Sequence, residues 1–477
     1  MEKVIPLQNL TDVKSFLQDK FTMVVDHSRQ RIDFRPLQIR QRCDEGLDLI
    51  YEWYAKSFYH FINFNSAMLT CDLVVTFNLP KNVANTVTVA GAGGIIQPYN
   101  SSSYINQQDL MYGQVLLNQI KDYGEIVPYL MALRDKQQIN DQKTLRNSDT
   151  TTEAYSTAVN GIPIAGNEDK TYESFGRTNT ITVGAGDVTI PAARTTLERT
   201  YRLNIPIFSI LEDAKLLPIY NLADPLRMVF KFNNILNMLQ ISATANTIIP
   251  QDAYLTNFHM YMDVYKVQDP ALLTRQYYTF KSISYDTWGP NNLGKLNAMS
   301  GQIQHFSQSF SARWKNLKNA IIFFRNSTDP TALTSKKGLD ALYGINDLFK
   351  EGIDTSQRIN WTFANYNYPY QNYQDSISCF WWEYLQYFGR ADNNGVEDAR
   401  VLTFLNWYTT YGAIAIDFST IPQRDDIISG VNTKQEILTL DMDLNTTTSK
   451  NTSCDMKIFF GRNVFFVIAD GVIGKIE

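Results

Sequence analysis

The chain has 477 residues, more than one hydrophobic core usually supports, so two domains are expected. Hydrophobic residues make up 44 %, aromatic residues 13 % and charged residues only 19 %, a balance that suits strands and surface buried against other protein. A net charge of −5 and a pI of about 5.6 exclude a general nucleic-acid binder, and no sequence-specific nucleic acid is expected as a partner.

From the N-terminus, MEKVIPLQNL lacks a basic region followed by an apolar core, and no run of ~18 apolar residues follows anywhere. The expectation is a soluble protein made without a secretory signal. Residues 1–30 read as an arm, with a short helix over Leu10 to Phe21 that Thr11 would cap. The cysteines, Cys43, Cys71, Cys379 and Cys454, form no CxxC pair and read as buried thiols. The histidines, His27, His60, His259 and His305, are too scattered for a zinc motif.

Leu73, Val75, Phe77 and Leu79 alternate with polar neighbours and predict a half-buried strand. A helix is predicted over Asp109 to Tyr123, after Pro98-Tyr99 and ending at Gly124. The polar stretch 135–195, rich in Thr, Asn, Asp and Gly, reads as a long insertion forming a surface tower. Leu226, Met228, Phe230 and Phe232 predict another strand, and Tyr254 to Val267 a third, broken by Gln268-Asp269-Pro270. The domain boundary is placed near Leu272.

In the second half, Ala320 to Phe324 and Asn463 to Ala469 are continuously apolar and predict strands covered on both faces. A second helix is predicted over Ile377 to Phe388, with Phe380, Trp381, Tyr384, Leu385 and Phe388 on one face; it follows Pro369-Tyr370 and ends at Gly389. Ile414, Ile416 and Phe418, then Leu438, Leu440, Met442 and Leu444, predict two more strands. Turn signals stand at Asn160-Gly161, Gly289-Pro290, Asn393-Asn394-Gly395 and Ser429-Gly430. Many short strands split by turns indicate β-sandwiches. The two predicted helices lie in similar surroundings, 271 residues apart at their preceding prolines and 265 at their closing glycines. One sandwich motif used twice follows, over 31–272 and 273–477, with roughly 55 extra residues beyond the first helix.

Several segments resemble the double jelly-roll major capsid proteins, the lineage of the adenovirus hexon, virophage and polinton-like virus capsids. The resemblance is carried by Ala413-Ile-Ala-Ile-Asp-Phe418, by Ser429-Gly-Val-Asn-Thr433 before the strand Ile437 to Leu444, and by Ile359 to Asn372 before the second helix. In the first half it rests on Ile205-Pro-Ile-Phe-Ser-Ile210, Lys215-Leu-Leu-Pro218 and Pro225-Leu-Arg-Met228, read as strand, short helix and next strand. These matches cover about a third of the chain. The resemblance implies an all-β fold of two tandem, upright jelly rolls. It further implies homotrimeric, pseudo-hexameric capsomers of an icosahedral shell, located in the virion. Its implied partners are the chain itself, neighbouring capsomers, minor capsid, penton or cement proteins, and an internal membrane touched by the arm.

No motif carries enzymatic chemistry, and the expectation is a non-enzyme without cofactor, metal or catalytic residues. Ala90-Gly-Ala-Gly-Gly94 lacks GxGxxG spacing and reads as a flexible loop. There is no HExxH and no GxSxG. Asp425-Asp426 beside Arg424 reads as a solvated turn, and Asp441 with Asp443 as a polar strand face. Trp381, Trp382 and Tyr384 read as sandwich cover or a subunit anchor rather than a sugar platform. Arg313, Trp314, Lys315 and Lys318 read as a strand edge, and Lys336-Lys337 is too short for a localisation signal. The rival readings are a carbohydrate-binding or carbohydrate-active β-sandwich, and another virion component such as a penton or spike.

Overall fold

The structure, a computed structural model, describes residues 4–6, 29–54, 59–78, 93–96, 101–132, 158–159, 162–163, 180–183, 196–214, 216–241, 249–266, 277–295, 304–311, 313–326, 341–349, 358–363, 366–368, 377, 380–381, 383–384, 404–409, 411–418, 430–434, 437–444, 453–469 and 471–476. Sixteen strands build two sandwiches. The first has β1 (Gln30–Phe34), β2 (Asp48–Trp53), β3 (Phe61–Asn78), β4 (Ile105–Tyr112), β5 (Val115–Lys121), β6 (Thr196–Pro206), β7 (Leu226–Phe232) and β8 (Ile249–Tyr265). The second has β9 (Tyr277–Lys295), β10 (Gln304–Phe310), β11 (Leu317–Asn326), β12 (Arg358–Phe363), β13 (Tyr366–Tyr368), β14 (Ala413–Asp417), β15 (Leu438–Leu444) and β16 (Ser453–Ala469).

Strand order decides the topology. The first sandwich pairs β6-β3-β8-β1 in one sheet and β2-β7-β4-β5 in the other. The second pairs β14-β11-β16-β9 and β10-β15-β12-β13, the same order with eight added to every number. All these pairs are antiparallel. Each half is therefore an eight-stranded jelly roll of two Greek keys.

The alternating sequence explains the filling. Leu69, Cys71, Leu73 and Val75 of β3 are fully buried, as are Leu226, Met228 and Phe230 of β7. Trp53 meets Phe64 edge-on across the first sandwich, ring centroids 5.3 Å apart. In the second, Phe460 of β16 packs on Phe310 and Trp361 of the facing sheet at 5.1 and 5.9 Å. Cys43, Cys71 and Cys454 are free, buried thiols; Cys379 lies outside the described residues.

The rolls stand side by side in the same orientation. Ser284 of β9 donates to Asn118 Oδ1 of β5 at 2.5 Å, and three residues on, Thr287 donates to the Lys121 carbonyl at 3.2 Å. The two strands thus advance together, and the β1–β2, β3–β4, β5–β6 and β7–β8 connections share one end with their counterparts. At that end Thr180–Val183, from the β5–β6 connection, pairs with Gly93–Ile96 of the β3–β4 connection, which also pairs with Gln240–Ile241. At the other end the β4–β5 turn meets the C-terminal hairpin: Tyr112 Oη donates to the Gly471 carbonyl at 2.5 Å. Val4–Pro6 pairs in parallel with Tyr277–Thr279 there, so part of the expected N-terminal arm extends the second sandwich.

The helix α1 (Tyr123–Ala132) leaves β5 and crosses to the second sandwich. Tyr129 packs on Phe323 of β11, ring centroids 4.8 Å apart. Phe323 and Lys457 face away from the core that Phe460 and Trp361 fill, so α1 covers the outer face of that sheet. This cover is why Leu317 to Phe324 are buried without a break. Glu125 of α1 pairs with Arg325 and, at 3.0 Å, with Lys457, which also meets Asp122 at 2.8 Å.

Several sequence expectations are corrected. Asp109 to Tyr123 is not a helix: β4 and β5 occupy it as a hairpin turning at Gly113 (φ +57°), and the helix starts where it was expected to stop. Gly124 is not a helix end but a close approach, since a Cβ there would sit 2.5 Å from the Ser103 carbonyl. Gly289-Pro290 makes no turn; it lies within β9 beside a register shift. Gly93 and Gly94 form a strand instead of a flexible loop. Asn463 to Ala469 alternates in burial, and the doubly covered part of β16 is Met456 to Gly461. The repeat spacing is 256 residues from β2 to β10 and from β3 to β11, not 265–271. The β5–β6 connection (122–195, 74 residues) exceeds the β13–β14 connection (369–412, 44 residues) by 30, not 55. The second predicted helix is described only at Ile377, Phe380, Trp381, Glu383 and Tyr384, all helical. The expected boundary near Leu272, and the Leu10 to Phe21 helix with Thr11, lie outside the described residues.

The junction charges set a pH dependence. Burial pushes the Glu125 carboxyl up, but Arg325 and Lys457 outweigh it and hold it below its ordinary value of 4.5. A depressed carboxylate contributes stability above its unfolded pKa and loses it as pH falls through the folded one. The expected result by scanning calorimetry is a melting temperature that drops as pH is lowered below about 4.5, with a smaller drop for E125Q. E125A at neutral pH should cost roughly 2 kcal/mol, because it strands Arg325 in a mostly buried junction.

Candidate assembly surfaces

The sequence-weighted polar groups resolve into strand-face pairs. His305 Nδ1 lies 2.5 Å from Asp443 Oδ1, and Ser307 donates to Asp441 at 2.6 Å; both pairs are cross-strand partners on β10 and β15. Among the described residues no cluster of three or more His, Cys, Asp or Glu could hold a metal ion. Asp425, Asp426, Arg424, Lys336, Lys337 and Trp382 lie outside the described residues.

Trp381 and Tyr384 build cover and not an open platform. Trp381 stacks on Tyr384 at 5.2 Å and meets Trp407 at 5.0 Å. Tyr384 is buried and shares a 2.8 Å hydrogen bond with Tyr129 of α1, so the two inter-roll helices touch. Trp314 donates its indole N–H to Asp286 at 2.8 Å and packs on Phe460; Lys318 is buried, while Arg313 and Lys315 are exposed.

Sequence reading missed the polar lattice on the outer face of the β6-β3-β8-β1 sheet. Arg202 of β6 donates to Asp72 of β3 at 2.8 Å, and Asn257 of β8 donates to the other Asp72 oxygen at 2.8 Å. Asp33 of β1 takes His259 Nδ1 at 2.9 Å and Arg35 Nε at 3.1 Å. Asp263 takes Arg29 at 2.7 Å. The available signal was the alternation itself: every second residue of β3 faces outward, from Met68 through Thr70 to Asp72. The second missed surface is the base, where Tyr54, Val115, Leu116, Ile437 and Val472 are exposed. A cleft of about 280 Å³ opens beside Leu116, Lys121, Asp286, Arg462 and Lys475, where the rolls meet.

No protein-family model and no curated protein matches the chain. Solved structures do. A chain of the Sputnik virophage particle superposes with a TM-score of 0.57 at 13 % identity, over 95 % of this chain and 89 % of that one. The Faustovirus major capsid protein gives 0.55 at 9 % identity, covering 97 % and 94 %. The mavirus major capsid protein gives 0.53 at 10 %, covering 95 % and 91 %. The chain has the double jelly-roll fold. The resemblance read from scattered segments thus extends, as fold, to nearly the whole chain.

Within this double jelly roll, the described part of the 135–195 insertion is anchored where Thr180–Val183 pairs with Gly93–Ile96. Replacing residues 140–175 by a short Gly/Ser linker should leave the melting temperature within a few degrees and the protein soluble. Extending the deletion through Val183 should lower it further, by freeing the Gly93–Ile96 edge. Differential scanning fluorimetry of the two deletions checks this ordering.

Proposed function

We propose that this chain is a viral major capsid protein, a structural subunit that forms homotrimeric, pseudo-hexameric capsomers of an icosahedral shell. The observation that carries the reading is the placement of two jelly rolls of identical strand order, upright and parallel, in one chain. Three such chains make six nearly equivalent wedges round a threefold axis, a hexagonal tile. A penton built on one roll per chain has no use for the duplication. Among the described residues no constellation supports a glycan-processing reading, and the Trp381 aromatics are spent on internal packing.

In this reading residues 1–30 are an inner arm, 31–272 the first roll and 273–477 the second. The connections that meet at Thr180–Val183 face outward, and the base with Tyr54, Val115 and Val472 faces inward. Partners are other copies, neighbouring capsomers, and minor capsid, penton or cement proteins at the base. An internal membrane is the further partner of the arm. The protein then resides in the virion.

Light scattering on purified chain at micromolar concentration should give three times 54.6 kDa, with an interface well above the standard ~1,600 Å². Negative-stain images should show hexagonal outlines. A stable monomer would sink the proposal, and a pentamer would favour the penton reading.

A further inference from the structure

The seam between the two rolls holds a polar cleft of about 280 Å³, and its walls come from both. β5 of the first roll supplies Asn118 and Lys121. β9 and β16 of the second supply Asp286 and Arg462, and the C-terminal strand Val472–Ile476 adds Lys475. The charged junction under α1 uses none of these side chains: there Glu125 pairs with Arg325 and Lys457.

The charge balance of the cleft points to an anion. Lys121, Arg462 and Lys475 stand against the single carboxylate of Asp286, so the lining carries two positive charges in excess. Asp286 is already committed to the wall: one of its oxygens accepts the Trp314 indole N–H at 2.8 Å and lies 3.1 Å from Arg462 Nε. Lys121 makes no ion pair among the described residues. Asn118, only 5 % exposed, takes the Ser284 hydroxyl on Oδ1 at 2.5 Å, which leaves its Nδ2 group as a donor for the cleft. Lysines in open water bind anions loosely, because salt and solvent screen them. Here the Arg462 side chain is 18 % exposed and Asn118 less, so the same charges act through less water. A carboxylate would answer one excess charge. A phosphate carries about 1.5 to 2 negative charges at neutral pH and three acceptor oxygens, which suits two excess cations and an arginine.

We propose that this cleft binds a phosphate-bearing ligand, held by Lys121 and Asn118 from the first roll and by Arg462 and Lys475 from the second. A ligand gripped from both sides clamps the rolls together, and it stabilises the folded chain in proportion to its binding. The phosphate comes either free in solution or on a lipid headgroup, because Leu116, 49 % exposed, gives the cleft an apolar lip. The site goes beyond the capsid reading and does not depend on it.

The probe is pyrophosphate, titrated calorimetrically into the full chain in a phosphate-free buffer at physiological salt. The expected outcome is one saturable site per chain and a melting temperature raised by a few degrees. K121A and K475A, with their fold checked by circular dichroism, should each weaken binding roughly tenfold. On the wild type alone, pyrophosphate should slow acylation of Lys121 and Lys475 several-fold and leave the exposed Lys266 unchanged. Flotation with vesicles containing phosphatidic acid then assigns the source. Co-flotation that K475A abolishes identifies a lipid headgroup, and its absence identifies a soluble phosphate. No saturable binding, an equal shift with sodium chloride of the same ionic strength, folded variants that bind as the wild type does, or unslowed acylation of both lysines overturns the site. Each of these leaves the capsid reading standing. If neither variant folds, the wild-type acylation pattern decides.

Discussion

Orientation of the two rolls depends on a small charged junction. Glu125 and Asp122 sit at the start of α1, where the helix dipole favours negative charge, and Arg325 and Lys457 rise from the second sheet to meet them. Taken singly, such pairs contribute little, because desolvation offsets the attraction. Their value here is geometric. Each charge is satisfied only if the helix crosses the sheet at this height and angle, while the apolar contact of Tyr129 with Phe323 tolerates sliding. The hydrogen bonds from Ser284 and Thr287 to β5 then fix the register, and with it which loops share an end.

That register has consequences at both ends. Jelly-roll edges are open templates for further strands unless they are covered. The flank of β5 lies against β9, and the start of β9 is covered by Val4–Pro6. At the opposite end, three connections far apart in sequence meet in one small sheet, which gives the longest connection a fixed foot. Apolar side chains stand in solvent at both ends, Val115 and Val472 at the base and Leu37 and Ile39 in the β1–β2 connection.

Period-two alternation made the fold largely readable in the sequence. Leu226 to Phe232 and Leu438 to Leu444 behave as their patterns require, with core residues on one side only. The doubling was readable too, although the helices used to measure it were misplaced. The apolar residues of Asp109 to Tyr123 fall at spacings that suit a helix as well as a hairpin, and only the positive φ of Gly113 decides between them. Gly124 reads as a helix terminator, whereas tertiary packing seats α1 across it: Gly124 presses on Ser103, and the helix runs on through Pro128. The Asp33, Asp72, Arg35 and Arg202 lattice was not legible. With His259 of β8, its members come from four strands scattered over more than 200 residues, and no local spacing joins them.

The two equivalent sheet faces differ in chemistry, and the difference follows from how much of each the chain itself covers. The face of β11 is covered by the chain's own helix from the moment the protein folds, so Ile321 and Phe323 are never presented to water and can be as apolar as any core. The outer face of the first roll stays partly in solvent and must keep polar groups at its surface. Polar groups that satisfy one another within the face, as Arg202 with Asp72 and His259 with Asp33 do, meet that need. The same jelly roll thus carries an apolar outer face where the chain's own helix covers it and a polar, ion-paired one on the first roll.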